Sequence, residues 1–312
     1  MQTSGSKLTL WGERYLFSPS PFQKLLSYSL LPLTALYCAA VTLKRKRAEP
    51  EKFEVPIISV GNLTVGGSGK TPFCIALAKR YENSAVILRG YKRKSKGLIV
   101  VSEKGKILTD VKKSGDEAML YAKSLKNASV IVSEDRKKAI RKALELKSEV
   151  IFLDDGFSKS NIEKFDILLE PFKEFENGFC LPSGPYREPK SFKKYANLVL
   201  KEKVDFQREV KIKNPTEDMI LVTAISKPQR LDPFLPPLKA KIYFPDHYFF
   251  KKEELRKLIK DFKASSILTT QKDAVKMQGY GIELSVLELE MKIANRVLEK
   301  VDDFINNFGK IP

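Results

Sequence analysis

The amino-acid sequence predicts an α/β fold: a mostly parallel sheet covered by helices, followed by a second, smaller α/β domain. Two observations carry this. Short apolar runs of β-forming residues recur along the chain with longer amphipathic stretches between them, and the first run passes directly into a glycine-rich turn ending in Lys70-Thr71. Continuous rather than alternating apolar runs mark strands buried on both faces, which is what the helix crossovers of a parallel sheet produce. With 312 residues and 43% hydrophobic content, the chain is long enough to bury a substantial core, which excludes a disordered protein.

Residues 1–47 read as an N-terminal segment ahead of the sheet. Within it, 22–43 carries a single charge, Lys24. A helix of that length reaches ~33 Å, about the apolar thickness of a bilayer. Ser27, Ser29, Thr34, Thr42 and Pro32 lower its hydrophobicity, and Lys44-Arg45-Lys46-Arg47 follows at once. That pattern suits a membrane-associating helix lying among headgroups and held by anionic lipid. A true span and an ordinary buried helix are the competing readings. A cleaved signal is excluded, because the apolar run is too long, starts too far in and lacks a small-residue cleavage site.

The first domain is predicted over 48–204. Its strands are Ile57-Ile58-Ser59-Val60, Ala85-Val86-Ile87-Leu88, Ser129-Val130-Ile131-Val132, Val150-Ile151-Phe152-Leu153, Asp166-Ile167-Leu168-Leu169 and Asn197-Leu198-Val199-Leu200. A polar stretch, 201–214, then leads into the second domain, 205–312. There the predicted elements are Met219-Ile220-Leu221-Val222-Thr223, a strand over 241–244, a charged helix over 252–262 and Ser266-Ile267-Leu268-Thr269.

The chemistry starts at Thr64-Val65-Gly66-Gly67-Ser68-Gly69-Lys70-Thr71, between the first strand and a helix predicted over 72–81. Glycines let a backbone curl its N–H groups around phosphate, and the helix N-terminus adds positive potential. This is the context of a P-loop NTPase-type sheet: all eight residues cradle ATP, Lys70 reaches the β- and γ-phosphates, and the Thr71 hydroxyl ligates Mg²⁺. Thr64 stands where the general motif has glycine. Asp154-Asp155-Gly156 closes the strand beginning at Val150, at the sheet edge where a carboxylate holds the metal. A plain turn is the alternative there.

Ser114-Gly115-Asp116-Glu117 precedes a helical segment over 118–125. Either Ser114 and Asp116 cap that helix while Glu117 serves its dipole, or Asp116 belongs to a general base that draws the proton from an acceptor hydroxyl. His247, the single histidine, lies in a loop of the second domain. If it meets Asp116, the two share a proton and the domains must close to assemble the site. In the proline-rich loop 181–189, Arg187 is the candidate planar donor to a phosphate. The basic run Tyr91-Lys92-Arg93-Lys94 is either a solvated face or a contact for phosphate or headgroup.

With 56 Lys+Arg against 38 Asp+Glu, a formal net charge of +18 favours polyanionic partners without choosing between nucleic acid, anionic lipid and phosphorylated substrates. Cys38, Cys74 and Cys180 are too far apart in sequence for a zinc motif or a disulfide framework, which suits a reducing cytosol.

Together these residues resemble the tetraacyldisaccharide 4'-kinase family of lipid A biosynthesis. The matching stretches run in order from the glycine-rich turn through Arg89-Gly90-Tyr91, Gly115-Asp116-Glu117, Asp154-Asp155-Gly156, Leu181-Pro182-Ser183-Gly184-Pro185, Arg187-Glu188 and Phe244-Pro245-Asp246-His247. The last is Thr269-Thr270-Gln271-Lys272-Asp273-Ala274-Val275-Lys276. Thr64 is the residue this family carries. The resemblance implies transfer of the ATP γ-phosphate to the 4'-hydroxyl of an acylated glucosamine disaccharide 1-phosphate, at the cytoplasmic face of the bacterial inner membrane. It also implies Asp116 with His247 as the catalytic pair, assisted by Lys70 and Arg187. Thr71, Asp154, Asp155 and Glu117 are then the metal set, and the N-terminal helix is the membrane-associating element.

Two positions depart from the family pattern. Phe157-Ser158-Lys159 stands where Leu-Gln-His is usual, and Lys92 where glycine is usual. A nucleic-acid-dependent NTPase shares the charge and the P-loop, but the apolar N-terminal segment and the lack of aromatic-interleaved binding motifs count against it, so no nucleic acid partner is expected. A regulatory nucleotide-binding module is opposed by the presence of Asp116, Asp154, Asp155 and His247.

Overall fold

The structure, a computed structural model, describes residues 7–66, 69–226 and 228–310. Gly67 and Ser68 of the predicted ATP loop lie outside them. In chain order the elements begin with α1 (Lys7–Phe17), α2 (Pro21–Ser29), α3 (Leu31–Lys46), β1 (Ile57–Gly61), α4 (Lys70–Ala78), β2 (Ser84–Leu88), β3 (Ile99–Glu103) and β4 (Lys106–Ile107). Then come α5 (Val111–Ser114), α6 (Asp116–Ser124), β5 (Ser129–Val132), α7 (Arg136–Glu145), β6 (Val150–Asp154), β7 (Phe165–Glu170) and β8 (Leu198–Lys201). The remainder is β9 (Phe206–Lys213), β10 (Met219–Thr223), β11 (Ala240–Tyr243), α8 (Lys252–Phe262), β12 (Ser266–Thr270), α9 (Gln271–Met277), β13 (Leu284–Ile293) and α10 (Asn295–Asn306).

Two sheets result, with strand orders β4-β3-β5-β2-β6-β1-β7-β8 and β11-β10-β12-β13-β9. The first is parallel from β5 to β8, with β3 and β4 added antiparallel at its edge. The second is parallel except for β9. The apolar runs became the central strands because each is buried along its whole length, as β1, β2, β5, β6 and β10 are. The stretch 201–214, expected as a polar connection, instead contains β9. An edge strand alternates faces, here Phe206, Val210 and Ile212 on one and Gln207, Glu209, Lys211 and Lys213 on the other, so its composition reads as polar.

The two sheets meet in one apolar cluster. Val297 and Val301 of α10, Met291 of β13 and Phe206 of β9 pack into the cluster that contains Phe73, Leu77 and Phe152. Asp302 also accepts from the Tyr81 hydroxyl at 2.5 Å and from Arg80 at 3.0 Å. The last helix of the chain therefore returns to the first sheet.

The apolar segment 22–43, expected as one helix, is two helices bent by 57° around Leu30. Pro32 sits in the first turn of α3, where its missing N–H costs nothing and its ring prevents α2 from continuing. No single helix among the described residues is long and apolar enough to cross a membrane; the bent pair passes that test only jointly, by length and composition. Three polar side chains of the pair point inward. Ser27 donates to the Ser183 carbonyl at 2.6 Å, Thr34 to the Ser183 hydroxyl at 2.7 Å and Tyr37 to the Arg187 carbonyl at 2.7 Å. Outward stand Phe22, Leu25 and Leu36, each about two-thirds exposed or more (73%, 66% and 68%), so the ordinary buried-helix reading fails.

Arg45 departs from its predicted lipid contact. Its guanidinium stacks over Phe157 at 4.5 Å, Tyr195 at 4.8 Å and Phe192 at 5.2 Å, and donates to the Phe157 carbonyl. Such cation–π contacts hold the end of α3 on the first sheet. Lys44, Lys46 and Arg47 remain exposed.

Candidate active site

The central strands β1 and β6 run side by side with Val60 opposite Asp154, so the turn after β1 and the carboxylates after β6 emerge together at the C-terminal edge of the sheet. That edge is where ligands of open α/β sheets bind. The glycine turn follows, with Gly66 at φ +93° and Gly69 at φ +84°, and Gly69 is the residue from which α4 starts at Lys70. Thr64 and Val65, predicted to cradle phosphate, line the cleft and are also bonded within the turn. The Thr64 hydroxyl and carbonyl accept from Asn62, and the Val65 N–H donates to the Pro185 carbonyl at 2.8 Å. These bonds fix the path of the turn, and Gly66, Gly69, Lys70 and Thr71 line the cleft beside them.

Lys70 donates to Asn62 Oδ1 at 2.8 Å and lies 3.6 Å from Asp155. Arg187, predicted to meet a phosphate, grips Asp155 with both arms at 2.7 and 2.8 Å and also donates to Asn62 Oδ1. Burial works to raise the Asp155 pKa, but the Arg187 bonds and the Lys70 charge outweigh it and hold the carboxyl well below its usual range. Asp155 is therefore held ionised at the cleft, with Arg187 and Lys70 as its partners in the ligand-free arrangement.

Asp154 is its opposite. It is buried, its Oδ1 has no hydrogen-bond partner, and burial together with the Glu117 charge pushes its pKa up to about 7 despite Lys70. A buried carboxylate oxygen with no hydrogen-bond partner fits a cation. Among the described residues, however, no group of three or more His, Cys, Asp or Glu side chains gathers as a metal site. The predicted metal set of Asp154, Asp155 and Glu117 is therefore not gathered around one point in this structure.

Asp116 begins α6, where Gly115 is the N-cap and makes no side-chain cap bond. Ser114 does not cap this helix; its hydroxyl bonds back to the Asp110 carbonyl. The Asp116 carboxylate accepts the Glu117 N–H at 2.9 Å and meets His247 Nδ1 at 2.8 and 3.0 Å. Residues from different sheets are thus brought together. Lys276 and Lys272 of α9 stand 3.7 and 3.8 Å from the same carboxylate. Burial alone raises the Asp116 pKa, but the His247 bond and the two lysine charges hold it below the usual range. Being ionised, Asp116 only accepts, so in the neutral imidazole Nδ1 carries the proton and Nε2 the lone pair. The Tyr91 ring meets His247 edge-on at 5.6 Å.

Lys70, Thr71, Glu117, Asp154, Arg187 and His247 all line one cleft of about 1550 Å³ between the two sheets. Sequence reasoning missed Asn62, which organises both Lys70 and Arg187, and Arg136, buried against Ser133 and the Asp154 carbonyl. Arg136 opens a helix just after a central strand, a position at the ligand edge that could have flagged it. Lys272 and Lys276 share one helix face at a four-residue spacing.

Comparison with known proteins follows the same lines. Residues 26–306 match the LpxK family, tetraacyldisaccharide-1-P 4'-kinase. The chain is 54% identical to a tetraacyldisaccharide 4'-kinase of Aliarcobacter butzleri over 310 residues, 97% of this chain and 99% of that one. It is 50% identical to one from Helicobacter pylori over 299 residues, 95% of each. Its fold is similar to the crystal structure of LpxK from Aquifex aeolicus in complex with ATP, with TM-score 0.76, 31% identity and coverage of 90% of this chain and 99% of that one.

Asp154 yields a pH-dependent prediction. Its pKa is about 7 folded against 3.8 as a model carboxyl, so its charge destabilises the ligand-free fold fully above pH 7 and not at all below about pH 4. At about 1.4 kcal/mol per unit, Asp154→Asn stabilises the ligand-free protein by roughly 2–4 kcal/mol at pH 8. Thermal unfolding of both proteins from pH 4 to pH 8 checks this: the gain in Tm shrinks as pH falls, and a gain independent of pH contradicts it.

Proposed function

We propose a mechanism from one established premise: the chain belongs to the tetraacyldisaccharide-1-P 4'-kinase family. It is an ATP-dependent kinase that phosphorylates the 4'-hydroxyl of a tetraacylated glucosamine disaccharide 1-phosphate in lipid A biosynthesis. The observation that carries the mechanism is the Asp116–His247 contact, made across the two sheets in the cleft that also holds Lys70 and Asp154.

ATP lies on the glycine turn, a P-loop, with backbone N–H groups at the start of α4 facing its phosphates. Lys70 exchanges its present partners, Asn62 and Asp155, for the β- and γ-phosphates. Thr71 and Asp154 would hold Mg²⁺, which when bound neutralises charge on the phosphate oxygens. Glu117 sits beside Asp154 and keeps that side of the cleft negative. Arg187 holds Asp155 in place and so fixes the partner from which Lys70 departs. His247 Nε2 takes the proton of the 4'-hydroxyl as its oxygen attacks the γ-phosphorus, and Asp116 stabilises the imidazolium that forms.

The helix pair supplies the lipid-facing surface. Ser27, Thr34 and Tyr37 are used on loop 181–189, Phe22, Leu25 and Leu36 face out, and Lys44, Lys46 and Arg47 follow at its end. This is a surface that lies in the headgroup region of an anionic bilayer, at the cytoplasmic face of the inner membrane, where an acylated acceptor resides.

Two assays test these readings. Labelled ATP is incubated with acylated disaccharide 1-phosphates, with nucleic acids, and with buffer alone. Transfer occurs only to the disaccharides, and Lys70→Ala abolishes it with the melting temperature preserved; turnover near wild type in a folded Lys70→Ala protein contradicts the assignment. In sedimentation with anionic vesicles, Leu25→Glu with Leu36→Glu reduces binding at all salt concentrations. Replacing Lys44, Lys46 and Arg47 by Gln leaves a weaker, less salt-sensitive association. Unchanged binding by both variants rules out the helix pair as the docking surface.

A further inference from the structure

Lys272 stands in the cleft in an unusual position. Its Nζ lies 3.4 Å from His247 Nε2, 3.5 Å from Asp246 Oδ1 and 3.8 Å from Asp116 Oδ2, a cation shared among three groups and seated closely on none. Lys276, one helical turn on, is different. Its side chain is fully buried, 2.7 Å from Asp273, and it serves as a fixed countercharge. Lys272 keeps 19% of its side chain exposed and lines the same cleft as Lys70, Glu117 and Asp154.

The position of Lys272 relative to His247 is set by a short rigid path. Asp273 accepts from the Thr223 hydroxyl at 2.7 Å, the Ala224 N–H at 2.9 Å and the Thr270 hydroxyl at 3.1 Å, which pins the start of α9. The His247 N–H in turn donates to the Ala224 carbonyl at 3.0 Å. One residue, Ala224, thus references both the base and the lysine.

Nε2 is the lone-pair nitrogen of the imidazole, and Lys272, which only donates, faces it. An acceptor hydroxyl giving its proton to Nε2 must come within about 2.6–3.2 Å and so takes the place Lys272 now fills. The attacking oxygen also lies about 3–3.5 Å from the phosphorus it attacks. An ammonium displaced from Nε2 by that hydroxyl is therefore left beside the oxygens of the transferring phosphoryl group.

Resting on the kinase reading above, we propose that Lys272 is a catalytic residue, the acceptor-side counterpart of Lys70, which leaves His247 Nε2 to contact the phosphoryl oxygens during transfer. The step balances without it giving up a proton. The acceptor O–H bond breaks with its proton going to Nε2, the O–P bond forms, and the bond from the γ-phosphorus to the bridging oxygen breaks with its electron pair leaving on ADP. The ammonium supplies charge where it develops, from the side opposite the P-loop.

The test compares wild type, Lys272→Met and Lys272→Arg for kcat, KM for both substrates and melting temperature. Affinity for ADP–aluminium fluoride, a transition-state mimic, is measured against a non-hydrolysable ATP analogue with the disaccharide present. Lys272→Met lowers kcat by about 10²–10³-fold, leaves KM for ATP within about threefold, and weakens the fluoroaluminate complex by a factor close to the kcat loss while the ATP analogue binds nearly as before. Lys272→Arg recovers part of the rate. If Lys272→Met does not fold, Lys272→Gln is read in the same way. A kcat within about threefold of wild type, or equal weakening of both nucleotide complexes, overturns the proposal. A wild-type protein that transfers nothing to the disaccharide overturns the kinase reading instead.

Discussion

The charge of Asp116 is the constraint on which the site depends. The residue is only 4% exposed, yet its carboxylate is held ionised, and the His247, Lys272 and Lys276 side chains that compensate it all come from the second sheet. Removing a partner from a buried charge costs several kcal/mol, so the first sheet cannot keep Asp116 in this position without the second closed over it. The same closure carries α10 back onto the first sheet and seals Val297 and Val301 into its core. Packing and chemistry therefore require the same arrangement of the two sheets.

A second ionic cluster ties the nucleotide side of the cleft to the N-terminal helices. Asp155 is gripped by Arg187, and Asn62 joins Arg187 to Lys70. Arg187 belongs to the loop whose Ser183 and Arg187 carbonyls receive Ser27 and Tyr37 from α2 and α3. Arg45 closes the circuit by stacking on Phe157, next to the Asp154–Asp155 turn. The face proposed to meet lipid and the lysine proposed to meet ATP are thus separated by a few directly bonded residues. Two carboxylates side by side in sequence have opposite situations within this cluster: Asp155 is gripped by Arg187 and held ionised, whereas burial and the Glu117 charge push the Asp154 pKa up and leave its Oδ1 without a hydrogen-bond partner.

Much of the fold was legible because buried parallel strands announce themselves as unbroken apolar runs, and 57–60, 85–88, 129–132 and 150–153 all became central strands. β9 and β13 were not, since each exposes one face and mixes charges among its apolar residues. The bend at Leu30 was written in Pro32, but the inward turn of Ser27 and Thr34 depended on the distant loop they bind, which local pattern does not show. At the site, Lys70, Thr71 and Asp154 followed from their place after β1 and β6. The meeting of Asp116 with His247, 131 positions apart, had no local signature and was suggested only by family resemblance. Arg187 was identified as important, but its partner was not, because an ion pair on Asp155 and a bond to phosphate call for the same side chain. Lys92, where the family has glycine, adopts φ +54°, a left-handed conformation that explains the glycine. Ser158 and Lys159, the other departures, line the cleft.

The central claim is that Asp116 and His247 act as one base assembled between the sheets. Its most direct test is kcat for Asp116→Asn, His247→Ala and the double variant, with ATP affinity and melting temperature as controls. Each single replacement lowers kcat by about 10²–10⁴-fold with ATP binding retained, and the double variant adds little to the larger loss. Full activity in Asp116→Asn, or losses that simply multiply in the double variant, would contradict a shared unit.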